Sequence, residues 1–283
     1  MKYENDIVYI LGTQSKWADN EIRFSLRSLG KIGQERGRIF IVGAWPKWMD
    51  PEMAIHIPAE DRDMNKLVNA IEKIKLACKD ERISETFLLM NDDFFFLKRT
   101  RTVRSYHMGL LKNAERRHET KAGYYFRAIV ETRRLLLKKG IKNPLSYEVH
   151  YPMELEKKKF LKMARDLSGP YLFRSVYGNL FKVPAIKTED FKAFNLRELA
   201  RLEDGMFLSI DNKLTKEREF RSWITARLRG RSKYERTRPE RWVARQGFTY
   251  GNRFYNKGDI VPGDLPEIIL RENAAINRKK KYN

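Results

Sequence analysis

Two adjacent carboxylates interrupt an apolar run in the segment LLMNDDFFFL, residues 88–97. Asp92 and Asp93 follow Asn91, and apolar residues resume at once. Neighbouring carboxylates in such surroundings repel each other and lose hydration, so the arrangement needs a compensating partner. Hard divalent cations take oxygen ligands, and Mg²⁺ usually combines one or two carboxylates with substrate phosphates. The segment is therefore a candidate Mg²⁺ or Mn²⁺ site, and a turn built from Asn and Asp is the alternative.

Strand-like apolar runs alternate with helical patterns over the first 97 residues, and this alternation positions the acidic pair. The runs cover residues 6–11, 38–42, 54–57 and 85–90, and helical spacing covers residues 20–31 and 64–79. Such alternation predicts an α/β fold with a mixed, mostly parallel sheet flanked by helices. In these sheets, ligands bind outside the carboxyl ends of the strands. Because Gly12 and Thr13 follow the first run and the acidic pair follows the last, we expect them at one crevice, which favours a metal site.

Three arginines are candidates for binding phosphate. Arg23 and Arg27 lie four residues apart, so they share one face of the predicted first helix and could clamp a phosphate there. Surface salt bridges to Asp19 or Glu21 are the simpler explanation of this spacing. Arg174 lies between aromatic residues in LFRSVYGN, and a buried arginine needs an anionic partner. That partner is either a structural carboxylate or a substrate phosphate.

His150 is the candidate general base. It lies in VHYP, where Pro152 favours an extended conformation for residues 146–152. Histidine is the natural group for removing a hydroxyl proton near neutral pH. A lone histidine in an apolar setting is more often structural, so its position alone does not assign the role. The chain has no GxxxxGK[ST], GxGxxG or HExxH pattern, which argues against the usual ATPase, Rossmann and zinc-protease sites.

The excess of positive charge is regional. The formal net charge is +21, to which residues 98–143 contribute +11 (14 Lys/Arg, 3 Asp/Glu) and residues 221–283 contribute +10 (16 and 6). Both segments contain aromatic residues, and positive charge beside stacking side chains suits nucleic acid. Ordinary basic helices with core-facing aromatics are the alternative. The candidate nucleic-acid-binding residues are Arg99, Arg101, Arg104, Arg116, Arg117, Arg133, Arg134, Arg227, Arg229 and Arg231.

Composition excludes several classes of protein. The chain has 283 residues, 42% of them hydrophobic, which is enough for a large domain with a substantial core. Its single cysteine, Cys78, excludes an internal disulfide framework and a cysteine-based zinc site. No apolar stretch reaches about 18 residues, the length that predicts a membrane span. The N-terminal segment is too polar for a signal peptide, so we expect a cytoplasmic protein.

The second half of the chain has a less regular pattern. We predict helices over residues 108–139, 153–167, 189–201 and 215–228, and strands around Gly178 and Asn179 in residues 171–184. From about residue 237 onward, Pro, Gly and aromatic residues are frequent and apolar runs are short, which is typical of a small β module. The predicted organisation is a main domain over residues 1–236 and a basic C-terminal β module over residues 237–283.

Taken in order, several segments resemble the Stealth family of sugar-phosphate transferases. This family includes bacterial capsular polysaccharide phosphotransferases and the lysosomal-enzyme GlcNAc-phosphotransferase. DIVYILGT resembles the first block of the family, without the acidic residue that follows the strand there. DNEIRFSLRSLGK with GRIFIVGAWPKWMD resembles the second block, and ISETFLLMNDDFFFLK is very close to the third. VHYPMELEKKKF, LFRSVYGN and LSIDNKLTKEREF resemble its histidine, arginine and closing segments.

The resemblance covers residues 6–236 and implies a GT-A-like core that uses a nucleotide-diphosphate sugar. It implies metal binding at Asp92 and Asp93, with Asp93 also in the catalytic set. It further implies that His150 activates the acceptor and that Arg174 clamps a phosphate. The residues expected to bind the nucleotide sugar are Gly12, Thr13, Arg23, Arg27, Asn91 and Asp92.

The tail and the charge suggest a particular acceptor. FTYGNRFYNKGDIV, followed by LPEIILRENAAI, resembles a short module found in bacteriophage proteins. Together with the regional charge, this resemblance indicates a phage enzyme that glycosylates a modified base in DNA. One alternative is a Stealth-type sugar-1-phosphate transferase that acts on a glycan such as capsular polysaccharide. The other is a non-catalytic nucleic-acid-binding protein on a transferase fold.

Overall fold

The computed structural model describes residues 5–33, 37–62, 65–121, 123–167 and 169–236, and four short strands further along the chain. The strands are β1 (Asp6–Leu11), β2 (Ile39–Gly43), β3 (Ile55–Pro58), β4 (Thr86–Met90), β5 (Phe94–Phe96), β6 (Tyr106–His107), β7 (Met153–Glu156), β8 (Ile186–Lys187), β9 (Lys192–Ala193), β10 (Phe207–Ile210), β11 (Trp242–Val243), β12 (Phe248–Tyr250), β13 (Arg253–Tyr255) and β14 (Ile260–Val261). The α-helices are α1 (Asn20–Ser28), α2 (Lys66–Lys79), α3 (Leu111–His118), α4 (Tyr124–Lys138), α5 (Lys157–Ala164), α6 (Phe173–Leu180), α7 (Leu196–Leu202) and α8 (Arg218–Arg227).

The central sheet has five strands in the order β3-β2-β1-β4-β7. Strands β1 to β4 run parallel, whereas β7 is antiparallel to β4. Parallel neighbours need crossover connections: α1 connects β1 to β2 and α2 connects β3 to β4, whereas the link from β2 to β3 contains no helix. The predicted α/β fold with a mixed, mostly parallel sheet flanked by helices is therefore confirmed. No helix in the described residues is long and apolar enough to cross a membrane.

Both faces of the central sheet are buried, because α1 and α2 cover opposite sides. On one side, Val8 of β1 belongs to a core cluster with Ile71 and Ile74 of α2. On the other, Tyr9 belongs to a cluster with Ile22 of α1. A strand buried on both faces is hydrophobic at consecutive positions rather than at alternate ones. This explains why residues 7–11 are apolar without interruption.

The three phenylalanines after the acidic pair form a second buried strand. β5 pairs antiparallel with β10, and β10 pairs parallel with β9, giving a second sheet in the order β5-β10-β9. Phe94 and Phe96 pack into the core on the α1 side. Phe95 packs on the opposite face, in a cluster with Trp17 and Phe220. Asn91, Asp92 and Asp93 therefore form the link between the two sheets.

Two predictions in the second half of the chain were wrong. Residues 171–184, predicted as strands, contain helix α6, because Phe173, Val176 and Tyr177 bury one helical face. Gly178 lies inside this helix rather than in a turn. A larger residue does not fit there, because a Cβ would come within 2.6 Å of the Tyr147 ring. Residues 153–167, predicted as one helix, begin with strand β7 and continue as α5. The alternation in β7 covers only four residues, too few to stand out from the lysine-rich helix that follows.

The remaining predicted helices are present with shorter limits. Residues 108–139 form α3 and α4, joined by a short 3₁₀ turn. Residues 189–201 contain the two-residue strand β9 before α7, so their first part was not helical as predicted, and residues 215–228 contain α8. In the C-terminal region, β11 pairs with β14 and β12 pairs with β13, both antiparallel. The existence of a separate C-terminal module stays a prediction, because most of residues 237–283 lie outside the described residues.

Candidate functional site

The carboxyl edge of the central sheet brings several of the predicted site residues together. In the parallel pair of β1 and β4, Tyr9 lies opposite Met90, so the residues that follow each strand emerge side by side. Gly12 and Thr13 follow β1, and Asn91 to Asp93 follow β4. Because β7 is antiparallel to β4 and begins at its carboxyl end, the segment before β7 reaches the same edge. That segment carries His150.

Asp93 is buried and bound to the second sheet. The Ser209 hydroxyl donates a hydrogen bond of 2.7 Å to Asp93 Oδ2. Lys192 Nζ lies 3.7 Å from the same oxygen. Ser209 and Lys192 are register partners on β10 and β9. The second sheet therefore fixes Asp93 at the edge of the first.

Asp92 and Glu21 form an electrostatically repulsive group with Asp93. Burial raises the pKa of Asp92 to about 8, and the charges of Asp93 and Glu21 add to that rise. Burial also raises the pKa of Glu21, although hydrogen bonds, one of them a 2.9 Å bond from the Ser15 hydroxyl, oppose the rise. A cation held between these groups would relieve their repulsion.

The acidic pair fits a cation that shares its ligands with a substrate. The described residues contain no group of three or more His, Cys, Asp or Glu side chains placed to hold a metal ion alone. Mg²⁺ needs only one or two carboxylates where substrate phosphates and water complete its shell. Asp92 and Asp93 meet that requirement, and their assignment as metal ligands stays a prediction.

His150 is held by a carboxylate that the sequence patterns did not single out. The backbone N–H of His150 donates to Asp190 Oδ1 over 2.9 Å, and its Nδ1 lies 2.7 Å from Asp190 Oδ2. Burial pushes the pKa of Asp190 upward, but the hydrogen bonds and charge of His150 outweigh that effect and hold it below its ordinary value. A carboxylate on Nδ1 fixes the tautomer in which Nε2 can accept a proton.

Arg174 is affected by the charge of Asp93 and by that of Asp190, the carboxylate that binds His150. Its side chain is only 6% exposed, and Nη1 donates to the Tyr151 carbonyl over 2.8 Å. The buried Nη2 has no hydrogen-bond partner in the described part of the chain. Burial lowers the pKa of Arg174, and the charges of Glu148, Asp93 and Asp190 oppose this effect. The guanidinium is therefore the positive centre of a group of carboxylates.

Helix α6 also positions the segment before β7. The backbone N–H and the hydroxyl of Ser175 donate to Glu148 Oε1 over 2.9 and 3.0 Å. The Asn179 side chain exchanges hydrogen bonds with the backbone N–H and carbonyl of Leu145, at 2.9 and 2.7 Å. These bonds hold an extended segment that is also paired with Leu110 through an isolated antiparallel bridge at Leu145. They keep Glu148 and His150 at fixed places beside Arg174.

Gly12 and Thr13 lie beside an ion pair between Lys73 and Asp61. Lys73 of α2 is 5% exposed, and its Nζ contacts the Leu11 carbonyl at 2.6 Å and Asp61 Oδ1 at 2.5 Å. The other oxygen of Asp61 accepts the Thr13 N–H over 3.3 Å. A Cβ on Gly12 would come within 3.2 Å of that oxygen. The turn after β1 is therefore shaped by Asp61, and its predicted role in binding nucleotide stays a prediction.

Arg23 and Arg27 have a partner that lies far away in sequence. Arg27 binds Glu235 through two hydrogen bonds of 2.8 Å. Arg23 Nε lies 3.8 Å from the same carboxylate, and its guanidinium stacks 4.6 Å from the Trp48 ring. Both arginines therefore contact Glu235, a carboxylate that the spacing within α1 did not indicate. A phosphate would have to compete with that carboxylate for both arginines.

The candidate nucleic-acid-binding arginines differ in how they are engaged. Arg133 binds Glu115 and Arg134 binds Glu131, each over 2.7 Å. Arg227 and Arg231 donate to the backbone carbonyls of Glu203 and Arg236. The remaining candidates are exposed and are Arg99, Arg101, Arg104, Arg116, Arg117 and Arg229.

Two of the exposed arginines lie close to the site. Arg117 of α3 and the carboxylates of Glu148 and Asp190 all act electrostatically on the Tyr125 hydroxyl. Burial raises the pKa of Tyr125, the two carboxylates add to the rise, and Arg117 opposes it. Arg104 in turn acts on Tyr151, whose carbonyl accepts from Arg174. The first basic segment therefore borders the His150 side of the site.

No protein-family model matches this chain, and no curated protein matches it either. The resemblance to Stealth enzymes accordingly rests on the sequence segments quoted above. The geometry adds residues that those segments did not single out for a role, notably Asp190, Glu148, Glu21 and Lys192. Asp190 is 40 positions from His150, so no local pattern could have paired them. Lys192 offered no signal either, because it is one lysine in a lysine-rich chain.

Proposed function

We propose that the chain is a metal-dependent glycosyltransferase with a GT-A-like core that uses a nucleotide-diphosphate sugar. One observation carries the proposal: the acidic pair and an oriented histidine lie at the same carboxyl edge of a mostly parallel sheet. The pair suits a divalent cation on a diphosphate, and the histidine suits removal of a hydroxyl proton. These are the two groups that such a transfer requires.

In this proposal each residue has a distinct task. Asp92 and Asp93 would hold Mg²⁺ or Mn²⁺, which would supply positive charge to the diphosphate that leaves the sugar. Arg174 adds a fixed positive charge beside them, in a buried setting where electrostatic interactions are strong. His150 Nε2 takes the proton of the acceptor hydroxyl. At the same time the hydroxyl oxygen bonds to the anomeric carbon, and the bond between that carbon and the diphosphate breaks. Asp190 holds the imidazole in the required orientation.

The basic surface supports a polyanionic acceptor, which we propose is DNA carrying a modified base. Arg104 and Arg117 are exposed, and their charges act on Tyr151 and Tyr125. Phosphate contacts of this kind position DNA without reading its sequence. A base in a duplex must leave the stack to reach an enclosed site. We further propose that Tyr125, whose hydroxyl is affected by the charges of Arg117 and Asp190, contacts the extruded base.

The alternative acceptor is a glycan that receives a sugar 1-phosphate, and the Stealth-like segments are what favours it. In that reaction the acceptor oxygen attacks phosphorus, so the β-phosphate of the nucleotide sugar is transferred with the sugar. In the glycosyl transfer proposed above, the β-phosphate leaves with the nucleotide. A nucleotide sugar labelled at the β-phosphate therefore distinguishes the two reactions.

The test is an incubation of the full chain with a panel of nucleotide sugars and Mn²⁺, with DNA, glycan or no acceptor. We expect release of nucleoside diphosphate that depends on DNA bearing hydroxylated bases, and loss of this release in Asp93→Ala. Label from the β-phosphate in a glycan product would establish the alternative. Full sugar transfer by Asp93→Ala would refute the metal assignment, and DNA binding without turnover under any condition would favour a non-catalytic protein.

A further inference from the structure

Lys192 lies beside Asp93, one of the two candidate metal ligands. Its Nζ is 3.7 Å from Asp93 Oδ2, and its side chain is 16% exposed. Strand β9 fixes the backbone of Lys192 through its pairing with Ser209, which itself donates to Asp93. The ammonium also lies 5.8 Å from the ring centroid of Phe194. A cation of the chain itself is therefore held beside the candidate metal ligand.

The distance between Lys192 and Asp93 indicates an ion pair in which either partner can be replaced. A separation of 3.7 Å is longer than a hydrogen bond between ammonium and carboxylate, which is about 2.7–2.9 Å. The Ser209 hydroxyl makes the short bond to that oxygen instead. Lys192 therefore offsets the charge of Asp93 without using its hydrogen-bond donors on it. Lysine keeps three rotatable N–H donors on a flexible stem, so it can turn to a nearby phosphate.

We propose that Lys192 exchanges partners during substrate binding. Without a metal, its ammonium neutralises Asp93; when Mg²⁺ or Mn²⁺ binds there, the ammonium moves to the diphosphate of the nucleotide sugar. The proposal rests on the metal site of the proposed function, and it assigns to Lys192 a role in binding the diphosphate. A lysine with only a structural role would stabilise the metal-free state and the metal-bound state equally.

The proposal predicts two effects of opposite sign from one substitution. Lys192→Met keeps the aliphatic stem and removes the charge that competes with a metal. We expect Mn²⁺ alone to bind this variant roughly threefold more tightly than the wild type. We expect pyrophosphate, titrated in the presence of saturating Mn²⁺, to bind roughly tenfold more weakly, because a charged hydrogen bond is lost. Calorimetry on the full chain measures both affinities without requiring turnover.

Matched variants separate this role from a loss of folding. Lys187→Met removes an exposed lysine from the nearby strand β8 and should change neither affinity. Lys192→Arg keeps the charge and should retain most of the pyrophosphate affinity. Thermal unfolding of all three variants identifies any that fail to fold, and the arginine variant then tests the charge without a cavity.

The outcomes distinguish this inference from the proposed function. If the wild type binds Mn²⁺ and Lys192→Met binds both Mn²⁺ and pyrophosphate unchanged, the exchange is refuted and the metal site stands. Weaker Mn²⁺ binding by Lys192→Met would also refute it. If the wild type binds no Mn²⁺, the metal site and the exchange fail together. Opposite changes in the two affinities support the exchange even if no sugar is transferred.

Discussion

At the scale of single residues, the site depends on pairs that are distant in sequence. Asp190 orients His150, Ser209 holds Asp93, and Arg174 lies among carboxylates from three separate segments. A carboxylate behind a histidine is the arrangement that supports proton removal in many unrelated enzymes. The role of Asp190 can therefore be tested separately from that of His150.

Asp190→Asn should lower kcat with little change in the KM for the nucleotide sugar, because it disturbs the orientation of His150 but not the binding of the diphosphate. Loss of the base itself in His150→Gln should lower kcat by about 10²–10⁴-fold, and Asp190→Asn should lose less. Steady-state kinetics across pH checks this, since a change in the orientation of His150 should alter the pH profile. A rise in KM with unchanged kcat would contradict the positioning role. Asp190→Glu, which restores the charge, should recover part of the rate.

The pKa of Asp92 predicts how stability depends on pH when no metal is present. Because the folded-state pKa is raised to about 8, the unfolded chain releases this proton at lower pH than the folded chain does. The free energy of unfolding should therefore fall as pH rises from about 4 to about 8. In Asp92→Asn this part of the decline should disappear, so the variant should melt at a higher temperature than the wild type at pH 8 in EDTA.

The same two proteins give the control with metal. Mn²⁺ should raise the melting temperature of the wild type through mass action and should do so much less in Asp92→Asn. Identical pH dependence of the two melting temperatures in EDTA would show that burial does not disturb Asp92. An equal Mn²⁺ effect would remove Asp92 from the ligand set.

Single residues also show what the sequence could reveal about the site. The acidic pair is predictable because it directly follows a strand whose pattern depends only on local hydrophobicity. Residue type and local sequence also indicate His150 and Arg174, but their chemical surroundings depend on tertiary contacts. Glu235 illustrates the limit, since it lies 208 positions from Arg27. Spacing within α1 could not reveal that partner.

At the scale of elements, helix α6 determines where the segment that carries His150 lies. It binds Leu145 and Glu148 by hydrogen bonds and contributes Arg174. The prediction of strands over residues 171–184 was wrong here, because aromatic and β-branched residues around a Gly-Asn pair usually indicate a hairpin. Tertiary burial overrode that preference. The glycine is present because the Tyr147 ring packs against it.

Gly178→Ala should therefore displace the segment that carries His150. The added Cβ would come within 2.6 Å of the Tyr147 ring, and overpacking of this kind usually destabilises a protein by about 1–3 kcal/mol. Urea unfolding should show that loss, with reduced turnover. Gly30→Ala is the control, because nothing lies within 4 Å of its added Cβ. Equal stability of the two variants would contradict the account of α6.

The first half of the fold was predictable for a physical reason. Strands β1 and β2 are buried on both faces and helices α1 and α2 carry apolar stripes, so local sequence and tertiary structure agree. The short strands β7, β9 and β10 give almost no periodic signal, and their positions depend on pairing with distant partners. Of the second sheet, local sequence therefore indicates only the three phenylalanines of β5.

At the scale of the whole molecule, the charge is distributed unevenly around the site. Some arginines of the basic segments already bind carboxylates of the chain, as Arg133 binds Glu115. Others are exposed, including Arg104 and Arg117. Only the exposed group can release counterions from DNA without first breaking an internal ion pair. Net charge alone would therefore overestimate the number of phosphate contacts.

Salt titration separates these two groups of arginines. If DNA binds at the proposed surface, its affinity should fall steeply with salt, and Arg104→Gln or Arg117→Gln should each reduce the slope of log K against log salt concentration by about 1. Arg133→Gln should leave the slope nearly unchanged. Fluorescence anisotropy with a labelled duplex measures all three slopes. Equal effects of the three substitutions, or an affinity insensitive to salt, would argue against this surface.

The pairing of Glu235 with Arg27 has a practical consequence for where the chain can be shortened. Backbone hydrogen bonds from Asp50 to Tyr234 and from Arg236 to Trp48 attach this segment to the connection after β2. A fragment ending at residue 230 would leave Arg23 and Arg27 without their carboxylate, and loss of one partner from a largely buried ion pair costs about 3 kcal/mol. A fragment ending at residue 236 keeps the pair. We expect the longer fragment to be expressed as a folded protein and the shorter one to be cleaved rapidly by proteases.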